Sequence, residues 1–158
     1  AMDNNYFERG KQVLEENFGH MVEMCLASTA NNNLSIRDLH AVYIDGKVYV
    51  LSRNGNKLMH DIAICPNVAL CHGPHSMLGT ARSIGHPAEP QNALIRKRLK
   101  REFSLDYDEY VYESNPDMRI VEITLTHAET YTRYHHYDID FVAQTAVRDH
   151  TQPAFIYR

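Results

Sequence analysis

The sequence predicts an α+β fold built on an antiparallel sheet with helices packed outside it. Three observations carry that expectation. Asp45-Gly46 lies between two apolar runs, Ala41-Val42-Tyr43-Ile44 and Lys47-Val48-Tyr49-Val50-Leu51, the pattern of a two-residue hairpin. Apolar residues take a helical period only in short stretches, at Leu58, Met59, Ile62 and Cys65 and again at Ala93, Leu94, Leu99 and Phe103. Those stretches do not alternate regularly with strands, which disfavours a βαβ architecture.

Taken in order, Asn4-Asn5 is expected to cap a helix over 6–18, and Gly19 to end it. A strand over 21–27 follows. Asn31-Asn32-Asn33 reads as a turn, because asparagine tolerates left-handed backbone and bonds to its own chain. A second strand over 34–44 enters the Asp45-Gly46 hairpin. The short helix from Leu58 stops at Pro66-Asn67. Gly73-Pro74 separates a strand over 68–72 from an antiparallel neighbour over 76–84. Pro90 suits a helix's first turn, where its missing amide hydrogen is not needed. A short helix over 106–113, a turn at Pro116-Asp117 and late strands over 118–125 and 129–137 complete about six strands and three or four helices.

The chain has 158 residues, 44% of them apolar and 23% charged, which fits one globular domain over 1–158. A net charge of -4 gives no whole-surface attraction for nucleic acid or an anionic membrane. No apolar window is long enough for a transmembrane helix, and the polar start lacks a signal-peptide pattern, so a cytoplasmic protein is expected. Cys25, Cys65 and Cys71 are odd in number and lie in apolar surroundings, which reads as reduced, buried thiols.

Chemistry concentrates in Ser52-Arg53-Asn54-Gly55-Asn56-Lys57, between a strand end and a helix start. Free amides at a helix N-terminus favour an anion. Ser52 and Asn56 add hydrogen bonds and Lys57 a positive charge, parts suited to a phosphate monoester. Arg37, on the strand before the hairpin, is placed to reach the same anion. The alternative is a Gly/Asn loop capped by Asn56 with Lys57 solvated.

The run from Tyr43 to Ser52, then Asn56-Lys57, then Asp61 to Cys71, resembles the pyridoxamine 5'-phosphate oxidase-like family, as do Gly79-Thr80-Ala81-Arg82 and the strand from Ile120 to Leu125. The resemblance covers roughly residues 6–136. It implies a flavin-binding split β-barrel with peripheral helices, and a homodimer holding FMN in clefts between subunits. By that resemblance Arg37 and Lys57 stand where members hold the FMN phosphate, and Asn56 where members often carry serine. Leu51 and Ser52 stand along the ribityl chain and ring edge. Asp38, Leu39 and His40 follow Arg37 on the strand beneath the flavin. Val42 replaces a lysine that meets the phosphate in the oxidases proper, and Leu58 a commonly basic residue. The C-terminal arginine–tryptophan signature is missing, since the chain has no tryptophan. The resemblance therefore implies FMN more strongly than it implies pyridoxamine phosphate oxidation. The expected activity is electron or hydride transfer through FMN between a small-molecule donor and acceptor. The alternative is a non-catalytic flavin- or haem-binding protein for storage or sensing. No residue is assigned as an acid or base.

Other features have two readings each. Arg96, Lys97, Arg98, Lys100 and Arg101 suit nucleic-acid phosphates or the solvated face of a helix, and the net negative charge favours the second. Cys71, His72, His75, His127, His135 and His136 match no standard zinc spacing, so no metal is expected. Arg82, Ser83 and His86 are expected in a loop, as a turn segment or a substrate mouth with His86 carrying protons. Tyr131, Arg133, Tyr134, His135 and Tyr137 form a polar–aromatic cluster suited to an interface or a cleft wall.

Overall fold

A computed structural model describes residues 5–103, 107 and 113–150. Helix α1 (Phe7–Phe18) starts where the Asn5 side chain accepts the Phe7 amide at 3.0 Å, and ends where the Gly19 amide donates to the Glu15 carbonyl. Strands β1 (Val22–Ala30), β2 (Asn33–Ile44) and β3 (Lys47–Arg53) follow through two tight turns. Asn31 and Asn32 have φ of 52° and 64°, and Asp45 and Gly46 45° and 82°. Both pairs take the left-handed geometry that matches strand twist in a two-residue hairpin. The three-asparagine turn is thus two residues long, and Asn33 already belongs to β2.

Helix α2 (Lys57–Ile64) leads into β4 (Asn67–His72) and β5 (His75–Gly85). A 3₁₀ turn over Pro90–Asn92 opens α3 (Ala93–Glu102), and β6 (Met118–Tyr131), β7 (His135–Asp140) and β8 (Thr145–His150) close the described chain. The strand order is β3-β2-β1-β4-β5-β6, and β6 pairs back onto β3. Six antiparallel strands therefore close a barrel, with β7 and β8 extending the sheet from β6. The expected helix over 106–113 falls almost wholly outside the described residues.

Two late expectations are corrected. The strands over 118–125 and 129–137 are one long strand, a turn and a second strand beginning at His135. Pairing with β5 and β7 carries β6 through Thr126-His127, where the apolar pattern lapses. The turn closes with the Thr132 amide donating to the His135 carbonyl at 2.9 Å. Strand β8 buries only Ala146 and shows no apolar run, so pairing with β7 alone defines it. Among the described residues there are eight strands, not about six.

The barrel interior is packed by Met24, Leu26, Val50, Leu70, Met77, Val121 and Ile123, and α2 adds Leu58, Met59 and Ile62. Each such side chain, fully buried, contributes about 1.5–3 kcal/mol. A smaller cluster on the other side of the sheet joins Leu99 of α3 and Phe103 to Val42, Tyr49 and Ile120. Gly79 permits the close approach of β5 and β6 at a register shift: a Cβ there would meet the Thr124 carbonyl oxygen at 2.6 Å.

The barrel is split between β2 and β3. They pair only over Val42–Tyr49, Tyr43–Val48 and Ile44–Lys47, then diverge. The half of β2 that holds Arg37 pairs with β1 alone among the described residues. Arg37 lies opposite Leu26 and Leu39 opposite Met24, so both point to the core-facing side of β2, where the split opens a cleft.

Candidate functional site

The cleft at the split has a volume of about 400 Å³ and is lined by Arg37, Asp38, Leu39, Leu51, Ser52, Asn56, Lys57 and Leu58. Seven of the eight residues that the resemblance sets around a flavin meet there; His40 does not line the cleft, and its ring lies 6.4 Å from that of Phe103. Leu51 and Ser52 come from the end of β3, Asn56 and Lys57 from the start of α2, and the others, Leu58 apart, from the half of β2 that has left β3. Helix α2 has no side-chain cap; the Asn56 amide group instead donates to the Ser52 hydroxyl at 3.4 Å. Its first-turn amides lack intrahelical partners.

Asp61 organises the basic residues, and sequence reasoning missed it. Its side chain is fully buried. The Lys57 ammonium donates to its Oδ1 at 2.7 Å, and the Ser28 hydroxyl to its Oδ2 at 2.7 Å. Arg37 donates to the Ser28 hydroxyl at 2.9 Å and to the Leu26 carbonyl at 3.1 Å, with its other terminal nitrogen 3.9 Å from Oδ2 of Asp61. The Lys57 and Ser28 hydrogen bonds hold the Asp61 carboxyl below the usual carboxylate range, and Arg37 adds to this. Burial pulls the Arg37 guanidinium down from its ordinary value, opposed by Asp61. The i, i+4 spacing of Lys57 and Asp61 was a readable signal for the ion pair. Ser28 had none, because it joins the group only through barrel closure.

The arrangement suits an anion. Two cations against one carboxylate leave a net positive charge. Lys57 is 56% exposed and spends one donor on Asp61, so its others face the cleft. Arg37 is anchored by backbone and hydroxyl, which fixes its remaining donors in place. This donor set, with the Ser52 hydroxyl and the α2 amides, fits a phosphate monoester.

The remaining candidates fall elsewhere. Asp38 lines the cleft, but its carboxylate turns to the outer face and accepts from the Cys25 thiol at 2.8 Å. The expectation of buried thiols is corrected: Cys71 is exposed, and Cys25 and Cys65 are partly exposed. The outward side of β1 and β4 and the end of α2 hold them, because strand alternation gives the interior to Leu26 and Leu70. Arg82 and Ser83 lie on β5, not in a loop. With Asn54, Asn56, Met59 and His60 they line a larger, open hollow of about 710 Å³ on the other side of α2's first turn. Arg82 is held there by Glu122. The anchored cations converge on the smaller cleft. His86 is a turn anchor: its ring meets the Asn115 carbonyl and the Ala88 amide.

The basic run of α3 is threaded with carboxylates, Arg96 on Glu113, Arg98 on Glu15 and Glu102, and Arg101 on Glu102. Among the described residues, no three His, Cys, Asp or Glu side chains are grouped to hold a metal ion. His75 instead packs its ring 5.1 Å from Phe18 and meets the Thr130 hydroxyl at 2.9 Å. Burial, with a contribution from His72, pushes its pKa down to about 4. The tyrosine cluster divides: Tyr137 is buried in the core and Tyr134 is exposed. Among the described residues, no helix is long and apolar enough to cross a membrane.

No protein-family model and no curated protein sequence matches the chain. Solved structures do match. A FAD-binding protein from Mesorhizobium loti superposes with a TM-score of 0.59 at 18% identity, covering 77% of this chain and 90% of that one. A pyridoxamine 5'-phosphate oxidase-related, FMN-binding protein from Nostoc punctiforme gives 0.57 at 10% identity, covering 94% and 97%. The heme storage protein HutZ from Vibrio cholerae gives 0.58 at 11% identity, covering 75% and 88%. The chain shares its fold with these three structures. At these identities the likeness speaks for the fold.

Proposed function

We propose that the cleft at the split binds FMN and that the protein is a flavin-dependent oxidoreductase acting on small molecules. The observation that carries this reading is the convergence of Arg37, Lys57, Ser52 and the uncapped start of α2 on one cleft, in a fold that FMN- and FAD-binding proteins share. Arg37 and Lys57 hold the phosphate, Ser52 and Asn56 bond the polar chain, and Leu39 and Leu51 give the ring an apolar wall. When bound, the flavin supplies hydride and electron transfer; the chain's own residues bind, orient and partly desolvate it.

A homodimer is part of this reading. Ile36, Ala27, Ala69 and Leu78 form one row across the outer face of four strands, and Leu34 flanks it. Leu34, Ile36 and Leu78 are 84%, 70% and 50% exposed. A second copy seated on that face covers this apolar row and borders the cleft, since Ile36 precedes Arg37.

Absorbance of the purified protein tests the reading. FMN released by denaturation, or saturable quenching of added FMN fluorescence, is the expected result. A colourless protein that leaves FMN fluorescence unchanged would refute it. The resemblance to a heme storage protein supports a second reading, non-catalytic cofactor storage, which a Soret band on heme addition would favour. Anaerobic bleaching of bound FMN by a nicotinamide donor separates an enzyme from a passive binder.

A further inference from the structure

We propose that Cys25 and Cys71 form a reversible disulfide between β1 and β4, made by exchange with a low-molecular-weight disulfide. The two residues stand directly opposite each other in the antiparallel register of these strands. Leu26 and Leu70, the next pair along, are buried in the barrel, so alternation turns both cysteines outward. Cys71 is exposed and Cys25 partly so. With Glu23, Asp38, His72 and Gly73 they line a shallow hollow of about 360 Å³ that admits a small thiol.

Directly opposed residues have Cα atoms roughly 4.5–5.5 Å apart, within the span a disulfide bridges. Their Cβ atoms, about 4.5–5.5 Å apart, stand slightly wider than in a relaxed bridge, so closing the bond costs some strain. Strained, exposed bridges are the readily reduced ones, which makes this bond reversible.

The two thiols have different roles. The hydrogen bond to Asp38, with a smaller effect of burial, raises the Cys25 thiol to about 11, so it stays protonated. Cys71, the more exposed of the two, is the first nucleophile. Its thiolate attacks one sulfur of the small disulfide, whose S–S bond breaks. One small thiolate leaves and takes up a proton, and a mixed disulfide remains on Cys71. Cys25 then gives its proton to solvent and attacks the Cys71 sulfur. The mixed disulfide breaks, and the second small thiolate leaves and takes up a proton from solvent. Two cysteine thiols are oxidised and one small disulfide is reduced to two thiols. Cys65, at the C-terminal end of α2, takes no part. The inference does not rest on flavin binding; it requires that a second copy seated on the row of Ile36, Ala27, Ala69 and Leu78 leave the neighbouring row of Asp38, Cys25, Cys71 and Ser76 open.

The test treats the full native chain with oxidised glutathione and follows intact mass and a peptide map. The expected product is lighter by about 2 Da, links the Cys25 and Cys71 peptides, and is restored by dithiothreitol. Cys65→Ser should still form it. Cys25→Ser should stop at a stable mixed disulfide on Cys71. Asp38→Asn, which removes the hydrogen bond that keeps Cys25 protonated, should reach the mixed disulfide and close it faster than the unmodified chain does. A bridge through Cys65 would overturn the proposal. So would a mixed disulfide on Cys71 that persists in the unmodified chain, or no mass loss in both that chain and Cys65→Ser.

Discussion

Two charge clusters in this barrel are built from the same parts and sit in different surroundings. Each has one buried carboxylate, an arginine, a lysine and a hydroxyl. At Asp61 the partners are Arg37, Lys57 and Ser28. At Glu122 they are Arg82, Lys47 and Tyr49, with the tyrosine donating at 3.0 Å and two Arg82 nitrogens donating to one oxygen at 3.1 and 2.9 Å. Burial opposes ionisation of Glu122, but Arg82, Tyr49 and Lys47 outweigh it and hold the carboxyl below its ordinary range. The difference lies in the backbone. Glu122 stands in the middle of β6, paired with β3 on one side and β5 on the other, so its cluster ties three strands together. Asp61 stands beside the place where β2 leaves β3, so its cations face a cleft. The same charges sit as a latch on a continuous ladder and as the proposed binding site beside an interrupted one.

The contrast can be broken most sharply with arginine. Arg37→Ala should weaken FMN binding about 100-fold, whereas Arg82→Ala should leave it within about 2-fold; fluorescence titration of both variants reads this directly. Equal losses would mean that the cleft is not the phosphate site. Glu122→Gln should lower unfolding free energy by about 1–3 kcal/mol in a urea titration without weakening FMN, because it loosens a buried latch whose arginine remains solvated. Lys57→Met should cost about 10-fold in FMN affinity and flatten its salt dependence, since that lysine is a half-exposed point charge.

The smallest expected effect separates acid sensitivity of the clusters from that of the rest of the barrel. Both carboxylates are held low, so their contribution is present above the ordinary carboxylate pKa of about 4 and is lost as pH falls through the lower folded values. His75 is held low at about 4. It stays neutral when folded while the unfolded chain takes up a proton below about pH 6.5, so stability falls across that window and levels off near pH 4. After discounting for partial exposure the loss is about 1 kcal/mol. His75→Gln should flatten the melting profile between roughly pH 6.5 and 4.5 and leave the more acidic limb intact. An unchanged slope in that window would place the early acid sensitivity elsewhere.

Local chemistry determined much of this protein in advance. Asp45-Gly46 and the asparagine pair at 31–32 set two hairpins, because left-handed backbone is cheap for those residues. Pro66 and Gly73-Pro74 bounded α2, β4 and β5 for the same kind of reason. Arg37, Ser52, Asn56 and Lys57 could be singled out from their residue types, and resemblance to a family supplied their common target. The sequence alone did not determine which strands close the barrel, where β2 and β3 part, or the existence of β8. Those depend on pairings between segments far apart in the chain, which carry no local signal. Asp61 and Ser28 belong with these. A buried aspartate is tolerable only beside its cations, and closure of β1 against β2 and α2 is what brings Ser28, Arg37 and Lys57 around it.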